Sequence, residues 1–380
     1  MIEDNQSTFA GTALLPDIRR AIASMGFVKA TPVQEKTIPS FLEGHDLIVQ
    51  APTGTGKTGA FGIPISQLID SRKRSAQALI MSPTRELAIQ TTRVLQKLTQ
   101  FQKGVRIVTL YGGEPIGRQL SALRSSPQII VATPGRLIDH IERRSVNLST
   151  IKIVVLDEAD RMLDMGFKDD LHRILSGIPA NRQTVLFSAT LPKGIMEIAS
   201  NYQHDAKHIV IKQDTMTVKS VKQFYTTVDN GAKKNELMAL LRDAEPTLCL
   251  VFVNTKRMAD TLCEDLKTQS LRADVLHGDI NQQKRERIMN SFRTGRLDIL
   301  VATDVAARGI DVRNIDLVVN YDLPIDSESY VHRIGRTGRA EKMGTAHTLI
   351  YRRETRKLNE IMTDTKAAIQ RMAPSLAAAV

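Results

Sequence analysis

The stretch "LIVQAPTGTGKTGAF", residues 47–61, decides the fold of the first part of the chain. Its apolar run leads into a glycine-rich turn that ends in Lys-Thr, which is typical of a strand, a phosphate-binding loop and a helix. The general phosphate-loop pattern has a glycine where this chain has Ala51, although a small residue with a negative φ also fits there. The stretch therefore predicts a nucleotide-binding loop, and the alternative is a chance glycine-rich turn.

Apolar runs rich in Val and Ile recur along the chain, and helix-like segments separate them. The runs cover residues 46–51, 77–83, 105–112, 128–133, 151–160, 183–190, 247–253, 272–278, 298–304, 316–322 and 344–350. Strands that are buried on both faces and alternate with helices indicate a parallel sheet. A polar stretch without helical periodicity separates the two series. We expect two α/β domains, residues 1–210 and 221–380, joined by a short hinge at residues 211–220.

Composition restricts the class of partner. The 380 residues carry a formal net charge of +11, and the excess is spread over both halves. A long polyanion is one candidate partner, and a basic protein without such a partner is the alternative. Aromatic residues make up only 4% and Trp is absent, which favours phosphate contacts over stacked bases. Two cysteines can build neither a disulfide framework nor a four-ligand zinc site.

The sequence has no apolar run long enough to span a membrane and no secretory leader. We therefore expect a cytoplasmic protein with no membrane partner. The tail beyond the last motif is not basic and glycine-rich enough to predict a further polyanion-binding extension, although residues 351–357 are locally basic.

Five polar segments each begin where an apolar run ends, namely "APTGTGKT", "SPTREL", "ATPGRL", "LDEAD" and "FSAT". Ligands of open α/β sheets bind at the carboxyl ends of the strands. We therefore expect these five segments to converge on one edge of the first domain.

Two of the segments predict nucleotide chemistry. Lys57 is expected to reach the β- and γ-phosphates of a nucleotide, and Thr58 to ligate Mg²⁺. An apolar strand that ends in Asp157 is the arrangement that holds Mg²⁺ in phosphate-loop enzymes, directly or through water. Glu158 follows, and a carboxylate beside the metal ligand can orient and deprotonate the attacking water. The alternative for the acidic segment is an acid-rich helix start.

A basic segment near the end of the chain, "HRIGRTGR", spaces three arginines three residues apart. On a helix, Arg336 and Arg339 would share a face and point at one anion. Guanidinium groups stabilise charge on a γ-phosphoryl group in the transition state. The spacing alone leaves this role open against an RNA-binding stripe or a solvated basic face.

The motifs resemble those of the DEAD-box ATP-dependent RNA helicases. The resemblance rests on "APTGTGKT", "PTRELA", "TPGRL", "DEAD", "SAT", "ATDVAARGID" and "HRIGRTGR", and it covers the chain from Phe9 to about residue 350. It implies two tandem RecA-like parallel-sheet domains joined by a short hinge, with ATP and Mg²⁺ as cofactors. The family's phosphate loop begins with alanine, so Ala51 fits the family.

The resemblance also implies a set of roles around ATP. A Q motif at residues 7–35 would read adenine through Gln34, with Phe9 stacked on the ring; the alternative is a surface glutamine after a Thr-Pro turn. The nucleotide-binding residues would be Phe9, Thr31, Gln34, Ala51, Pro52, Thr53, Gly54, Thr55, Gly56, Lys57, Thr58, Gly309 and Asp311. Arg336 and Arg339 would be arginine fingers and His332 would belong to the catalytic set. Coupling would fall to Asp160, Ser188, Ala189, Thr190 and Arg333.

Small, hydroxyl and basic residues at strand ends can grip a sugar–phosphate chain without reading bases. By resemblance the RNA-binding residues are Pro83, Thr84, Arg85, Gly112, Gly113, Thr133, Pro134, Gly135, Arg136, Asn254, Thr255, Gly278, Asp279, Gln282, Arg285 and Thr303. Each loop taken alone reads as an ordinary turn. The expected function is an ATP-dependent RNA helicase that melts short duplexes or remodels ribonucleoproteins, acting as a monomer. The alternatives are an ATP-gated RNA clamp and a DNA translocase.

Overall fold

The computed structural model describes residues 14–52, 54–211, 220–307, 312, 315–338 and 343–375, without the side chains of residues 282, 305 and 328. The chain divides into two compact units, Met1–Gln213 and Asp214–Val380. The predicted hinge lies outside the described residues except at its two ends. Several expected site residues also lie outside them, namely Phe9, Thr53, Gly309, Asp311, Arg339 and the side chain of Gln282.

The first unit alternates strands and helices. Its elements are α1 (Pro16–Ser24), α2 (Pro32–Leu42), β1 (Leu47–Gln50), α3 (Lys57–Leu68), β2 (Ala78–Met81), α4 (Arg85–Leu98), β3 (Ile107–Leu110), α5 (Ile116–Leu123), β4 (Ile129–Ala132), α6 (Pro134–Glu142), β5 (Ile153–Leu156), α7 (Ala159–Asp164), α8 (Lys168–Ser176), β6 (Gln183–Ser188), α9 (Lys193–Tyr202) and β7 (Lys207–Val210).

The second unit repeats this alternation. Its elements are β8 (Val221–Val228), α10 (Lys233–Ala244), β9 (Cys249–Val253), α11 (Lys256–Thr268), β10 (Ala273–Leu276), α12 (Gln282–Arg293), β11 (Ile299–Thr303), α13 (Asp304–Ala307), β12 (Leu317–Asn320), α14 (Ser327–Ile334), β13 (Gly344–Tyr351), a 3-10 turn (Arg352–Glu354), α15 (Thr355–Thr365) and β14 (Gln370–Met372).

Each unit contains one sheet of seven strands, and the strand pairings described are parallel. The first sheet has the order β3-β4-β2-β5-β6-β1-β7 and the second the order β10-β11-β9-β12-β13-β8-β14. Counted from the first strand of each unit, the two orders are the same. The prediction of parallel α/β architecture is therefore confirmed, and all eleven predicted apolar runs contain a strand.

The sequence missed β7, β8 and β14. Strands β7 and β14 lie at sheet edges and are mostly exposed, while β8 alternates buried and less buried residues. None of the three has the continuous apolar run of a strand that is buried on both faces.

The core of each unit lies on both faces of its sheet. In β2, Leu79 and Met81 pack into one apolar cluster, while Ala78 and Ile80 pack into another. This two-sided burial explains the continuous Val and Ile runs, because neighbouring side chains of a strand point to opposite faces. Among the described residues, no helix has the length and apolar character that crossing a membrane requires.

Candidate functional site

The phosphate loop lies between β1 and α3, as the sequence predicts. Gly56 ends the loop with a φ of +94°, a conformation that side-chain-bearing residues rarely adopt. Lys57 is the first residue of α3 and is only 7% exposed. Its Nζ donates a hydrogen bond to the carbonyl oxygen of Ala51 at 3.0 Å. Ala51 is buried and has no positive φ, so alanine fits this position without strain.

Gln34 contacts the phosphate loop directly. Its Oε1 accepts from the backbone N–H of Thr31 at 3.0 Å, and its Nε2 donates to the carbonyl of Gly56 at 3.1 Å. A Cβ on Gly56 would lie 2.8 Å from this Nε2, which is a second reason for glycine there. The side chain is 4% exposed, so the alternative of a surface glutamine is wrong. Its predicted contact with adenine stays a prediction.

Asp157 follows β5 and is 2% exposed. Burial raises the pKa of its carboxyl group to about 7; the Lys57 ammonium opposes this shift and the Glu158 carboxylate adds to it. Within the described part of the chain, its Oδ1 atom is buried without a hydrogen-bond partner. A buried carboxylate oxygen left in this state suits a hard cation, so the residues present fit Mg²⁺.

Glu158 has a left-handed backbone, with a φ of +50° and a ψ of +53°. It is the N-cap of α7, so the chain turns from β5 into this helix within two residues. A non-glycine residue in this region is uncommon, and such strain concentrates at functional sites. The turn leaves the half-buried Glu158 beside Asp157 at the edge of the sheet.

Asp160 joins the acidic segment to the segment that follows β6. Its Oδ2 accepts from the backbone N–H groups of Ala189 and Thr190 at 3.0 and 2.9 Å, and from the Thr190 hydroxyl at 3.0 Å. The Asp160 N–H donates to Ser188 Oγ at 3.2 Å. The structure thus brings together these four residues of the predicted coupling set, while their coupling role stays a prediction.

The first-unit residues predicted to bind RNA lie at the carboxyl ends of β2, β3 and β4. Thr84 caps α4 by accepting from the Leu87 N–H at 3.3 Å, and Pro134 begins α6. The Arg85 guanidinium lies against Gly112 and Gly113, where a larger residue would collide with it. Three predicted loops therefore form one surface.

That surface also includes Arg136, whose Nη1 donates to the carbonyl of Glu114 at 3.2 Å. Gly113 and Gly135 are exposed, whereas Pro83 and Thr133 are buried. The exposed glycines and the arginines are the groups that a bound strand can reach.

The second-unit residues predicted to bind RNA divide into accessible and buried ones. Thr255 caps α11 by accepting from the Met258 N–H at 3.1 Å. Gly278 is exposed, and so is Asp279, which pairs with Lys256 at 2.5 Å. Arg285 is only 8% exposed and its Nη2 donates to the Ala306 carbonyl, and its contact with RNA stays a prediction. Arg285 ties α12 to α13.

Thr303 is another predicted RNA contact with little exposure, since only 8% of it is accessible at the end of β11. Asn254 is exposed, but its side chain is engaged within the unit, where its Nδ2 donates to the Leu323 carbonyl at 3.1 Å. Its backbone N–H donates to Asp322 Oδ2 at 2.9 Å, and its contact with RNA stays a prediction.

Arg333 is the most deeply buried of the described arginines expected at the site. It is 1% exposed, and its Nε and Nη2 donate to both carboxylate oxygens of Asp304 at 2.7 Å. Its remaining N–H groups bond the Asn254 side chain at 2.8 Å, the Asn320 side chain at 3.4 Å and the Asp322 carbonyl at 2.6 Å. All five donors are used inside the second unit. The guanidinium is therefore occupied by its own unit, and the coupling role expected for Arg333 stays a prediction.

The helical basis for pairing Arg336 with Arg339 is wrong. Helix α14 ends at Ile334, and residues 335–338 form turns. Gly338 has a φ of +68° and lies against Ser220 and Val221, where a Cβ would come within 3.0 Å of both. Arg336 and His332 are half-buried, and their catalytic roles stay predictions.

Several polar residues of the site were missed. Asp304 directly follows β11, as Asp157 directly follows β5, and this strand-end position was a signal that the sequence offered. Gln119 and His140 are almost fully buried on helices beside the loop that follows β3. Their signal was weaker, because burial of a polar helical residue is not visible in a single sequence.

Comparison with known proteins places these observations in a family context. Residues 31–198 match the DEAD/DEAH box helicase family, and residues 232–341 match the helicase conserved C-terminal domain. The chain is 48% identical over 374 residues to the DEAD-box ATP-dependent RNA helicase CshA of Bacillus licheniformis, covering 98% of this chain and 77% of that protein. It is 47% identical over 368 residues to the CshA of Geobacillus kaustophilus, covering 97% and 79%.

Solved structures agree with this similarity. The structure of S. cerevisiae Dbp5 bound to RNA and ADP BeF3 matches with a TM-score of 0.86 at 32% identity, covering 97% of this chain and 96% of that one. A DEAD box protein from the hyperthermophile Methanococcus jannaschii matches with a TM-score of 0.56 at 40% identity, covering 96% and 99%. The predicted fold class, two tandem RecA-like parallel-sheet domains, is confirmed.

Proposed function

The chain belongs to the DEAD-box helicase family, and from this premise we propose that it is an RNA-dependent ATPase that acts as an ATP-dependent RNA helicase. The observation that carries the proposal is the cluster at the carboxyl edge of the first sheet. There a buried lysine, a partly unsatisfied aspartate and the bonded Asp160–Thr190 pair meet at three strand ends. The arrangement suits binding and hydrolysis of a nucleoside triphosphate.

The residues of the first unit would share the ATP chemistry. Lys57 would exchange the Ala51 carbonyl for the β- and γ-phosphates, and the loop N–H groups would bind the same oxygens. Asp157 and the Thr58 hydroxyl would hold Mg²⁺, which neutralises charge on the phosphates when bound. In the described residues, no cluster of three or more His, Cys, Asp or Glu could hold a metal ion. Glu158 would orient the attacking water and accept its proton.

Arginines of the second unit would complete catalysis. Arg336 and Arg339 would stabilise the charge that develops on the γ-phosphoryl group. We expect Arg339→Ala to slow hydrolysis by about 10³-fold, whereas Arg352→Ala, which removes a mostly exposed arginine of the same unit, should not. If Arg339→Ala hydrolysed ATP at the normal rate but bound RNA poorly, Arg339 would be an RNA-contacting residue and not a catalytic one.

Both units would bind one RNA strand through its backbone. ATP can then favour strand separation only through contacts that differ between two conformational states. We propose that ATP binding bends the strand so that it leaves a duplex, and that a few base pairs melt locally. Unwinding should therefore fall steeply with duplex length when the loading end is kept the same. Equal efficiency on a long duplex would indicate processive translocation and would refute local melting.

Two other functions are separable by experiment. A DNA translocase would be stimulated as strongly by single-stranded DNA as by RNA, whereas the proposed enzyme should respond to RNA. An ATP-gated clamp would dissociate slowly from RNA with a non-hydrolysable ATP analogue and would unwind poorly. The proposal includes a monomer in the cytoplasm that meets RNA within ribonucleoproteins, and analytical ultracentrifugation would test the monomer.

A further inference from the structure

Gln119 is a buried carboxamide on α5 whose hydrogen-bonding positions are all filled. Its Nε2 donates to the Tyr111 carbonyl at 2.8 Å and to Glu114 Oε2 at 3.1 Å. Its Oε1 accepts from Arg136 Nη1 at 3.2 Å and lies 3.0 Å from His140 Nε2. A carboxamide has two N–H donors and two acceptor positions, so none remains open. The carbonyl of Tyr111 can only accept, which fixes the orientation of the amide.

The hydrogen bonds of this carboxamide connect the loop after β3 to the segment after β4, which are distant from each other along the sequence. Residues 111–115 follow β3, and Arg136 lies in the first turn of α6, which follows β4. Arg136 also donates to the carbonyl of Glu114 at 3.2 Å. Gly112 and Gly113 of the same loop support the Arg85 guanidinium. One buried group thus sets the loop on which two predicted RNA-binding arginines rest.

His140 holds the other side of the carboxamide. It is fully buried, and its Nδ1 lies 2.8 Å from Ser145 Oγ. Burial, with the Arg136 charge nearby, lowers the pKa of the imidazole, which favours the neutral ring. A neutral ring has one N–H, and this donor must face Gln119 because Oε1 can only accept. The single proton of the Ser145 hydroxyl is within reach of both Nδ1, at 2.8 Å, and the His140 carbonyl oxygen, at 3.0 Å.

We propose that Gln119 is a positioning residue for RNA binding. Its carboxamide holds the loop at residues 111–115 and the Arg136 guanidinium in one arrangement, so their ordering is complete before RNA arrives. Interactions ordered in the free protein do not lose side-chain entropy on binding, and affinity rises accordingly. The inference rests on the proposed function, in which Arg136 and Gly113 contact the RNA backbone.

The test compares Gln119→Met with a matched control, Gln128→Met. Gln128 is also a buried carboxamide, but it precedes β4 and lies at the opposite edge of the sheet. It accepts from the Arg106 N–H at 2.9 Å and donates to the Lys73 carbonyl at 2.8 Å. Both substitutions keep the volume of the side chain and remove its hydrogen bonds.

The readout is the affinity for a short fluorescein-labelled oligouridylate in the presence of a non-hydrolysable ATP analogue. We expect Gln119→Met to weaken binding about tenfold, which is about 1.4 kcal/mol. Gln128→Met should change it by less than about twofold. Thermal unfolding of both variants shows whether their losses of stability are comparable. The affinity for the ATP analogue without RNA should stay unchanged in both.

A charge swap keeps the test informative if Gln119→Met folds poorly. Gln119→Glu places a carboxylate against Glu114 and the Tyr111 carbonyl, and should weaken RNA binding. Adding Glu114→Gln supplies an N–H donor at that contact, so the double variant should recover part of the lost affinity. A double variant that binds RNA no better than Gln119→Glu contradicts the positioning role.

Arg136→Ala tests the proposed RNA-binding surface separately from the positioning role of Gln119. If Arg136→Ala leaves RNA affinity unchanged, the proposed RNA surface is wrong. If Arg136→Ala weakens binding but Gln119→Met behaves like Gln128→Met, the surface stands and the positioning role is wrong. Because Gln119 is proposed to act partly through Arg136 and partly through the loop at residues 111–115, the losses of Gln119→Met and Arg136→Ala should be less than additive. Fully additive losses would overturn the proposal.

Discussion

Replacing Arg333 by Met should destabilise the second unit far more than replacing an exposed arginine. The guanidinium is 1% exposed and makes five hydrogen bonds, two of them to the Asp304 carboxylate. Its planar group also lies 5.2 Å from the centre of the Phe252 ring. Met fills much of the same stem volume, so the main loss is electrostatic and not a cavity.

The magnitude follows from the group left behind. Removing one partner of a buried ion pair costs about 3–5 kcal/mol, because the other charge stays buried and unpaired. The Asp304 side chain is 22% exposed to solvent, so water reduces part of this cost. We therefore expect about 3 kcal/mol, near the lower end of that range.

Hydrogen exchange of the buried strands is a suitable assay, since the chain has no Trp to report unfolding by fluorescence. Amides of β9, β11 and β12 should exchange about 100-fold faster or more in Arg333→Met, and those of β1 and β5 should not change. Arg356→Met is the control. That side chain is 92% exposed and its pair with Glu360 is worth at most about 1 kcal/mol.

The opposite outcome would support the coupling role that the sequence suggested for Arg333. If Arg333→Met exchanged like Arg356→Met while RNA-stimulated ATP hydrolysis was lost, the guanidinium would act outside its own unit. The structural explanation of Arg333 would then be refuted.

Three further predictions follow from the site and from one buried histidine. Glu158→Gln should bind ATP normally and lose turnover, and normal turnover in a steady-state assay would exclude Glu158 as the base. Gly56→Ala should weaken ATP binding in a titration because its φ of +94° strains alanine, whereas Gly117→Ala, on the open surface of α5, should not. Burial lowers the pKa of His347 from 6.5 to about 4 in the folded state, so its contribution to stability is complete above pH 6.5. That contribution, about 3 kcal/mol, should be lost as the pH falls toward 4, and His347→Gln should flatten this part of the stability curve measured by denaturant titration.

The strands were predictable where burial on both faces leaves a continuous apolar run, as in β2, β4 and β5. The search for continuous apolar runs missed β7 and β14, because each is an edge strand that pairs with one neighbour and keeps polar residues. Sequence analysis therefore predicted eleven of the fourteen described strands, including the edge strands β3 and β10, and missed β7, β14 and the interior strand β8.

The site was predictable where function depends on position along the chain. The positions of Asp157 and Lys57 in the fold were predictable because each lies in a segment that follows a strand, and strand ends of a parallel sheet meet at one edge. The burial of Arg333 was not predictable, because its partners are set by tertiary packing. Asp304 and Asn254 lie 29 and 79 residues away along the chain. No spacing rule shows that an arginine is buried.

The repeated strand order gives the two units equivalent positions, and these carry similar residues with different surroundings. Lys57 begins the helix after β1, and Lys233 begins the helix after β8, the first strand of the second unit. Asp157 follows β5, and Asp322 lies two residues beyond β12, the equivalent strand. Each unit therefore has a buried lysine and an aspartate near the carboxyl edge of its sheet.

The surroundings decide what each pair can do. Lys233 lies 4.2 Å from the centre of the Tyr351 ring and 3.4 Å from Glu354, while Asp322 accepts from the Asn254 N–H at 2.9 Å. The protein itself satisfies this pair, which contributes to the fold. The Asp157 Oδ1 atom, in contrast, has no partner among the described residues. A buried polar group that folding leaves unsatisfied costs stability, and the proposed Mg²⁺ would offset that cost in the first unit. The same architecture would then hold a ligand in one unit, while it holds a structural ion pair in the other.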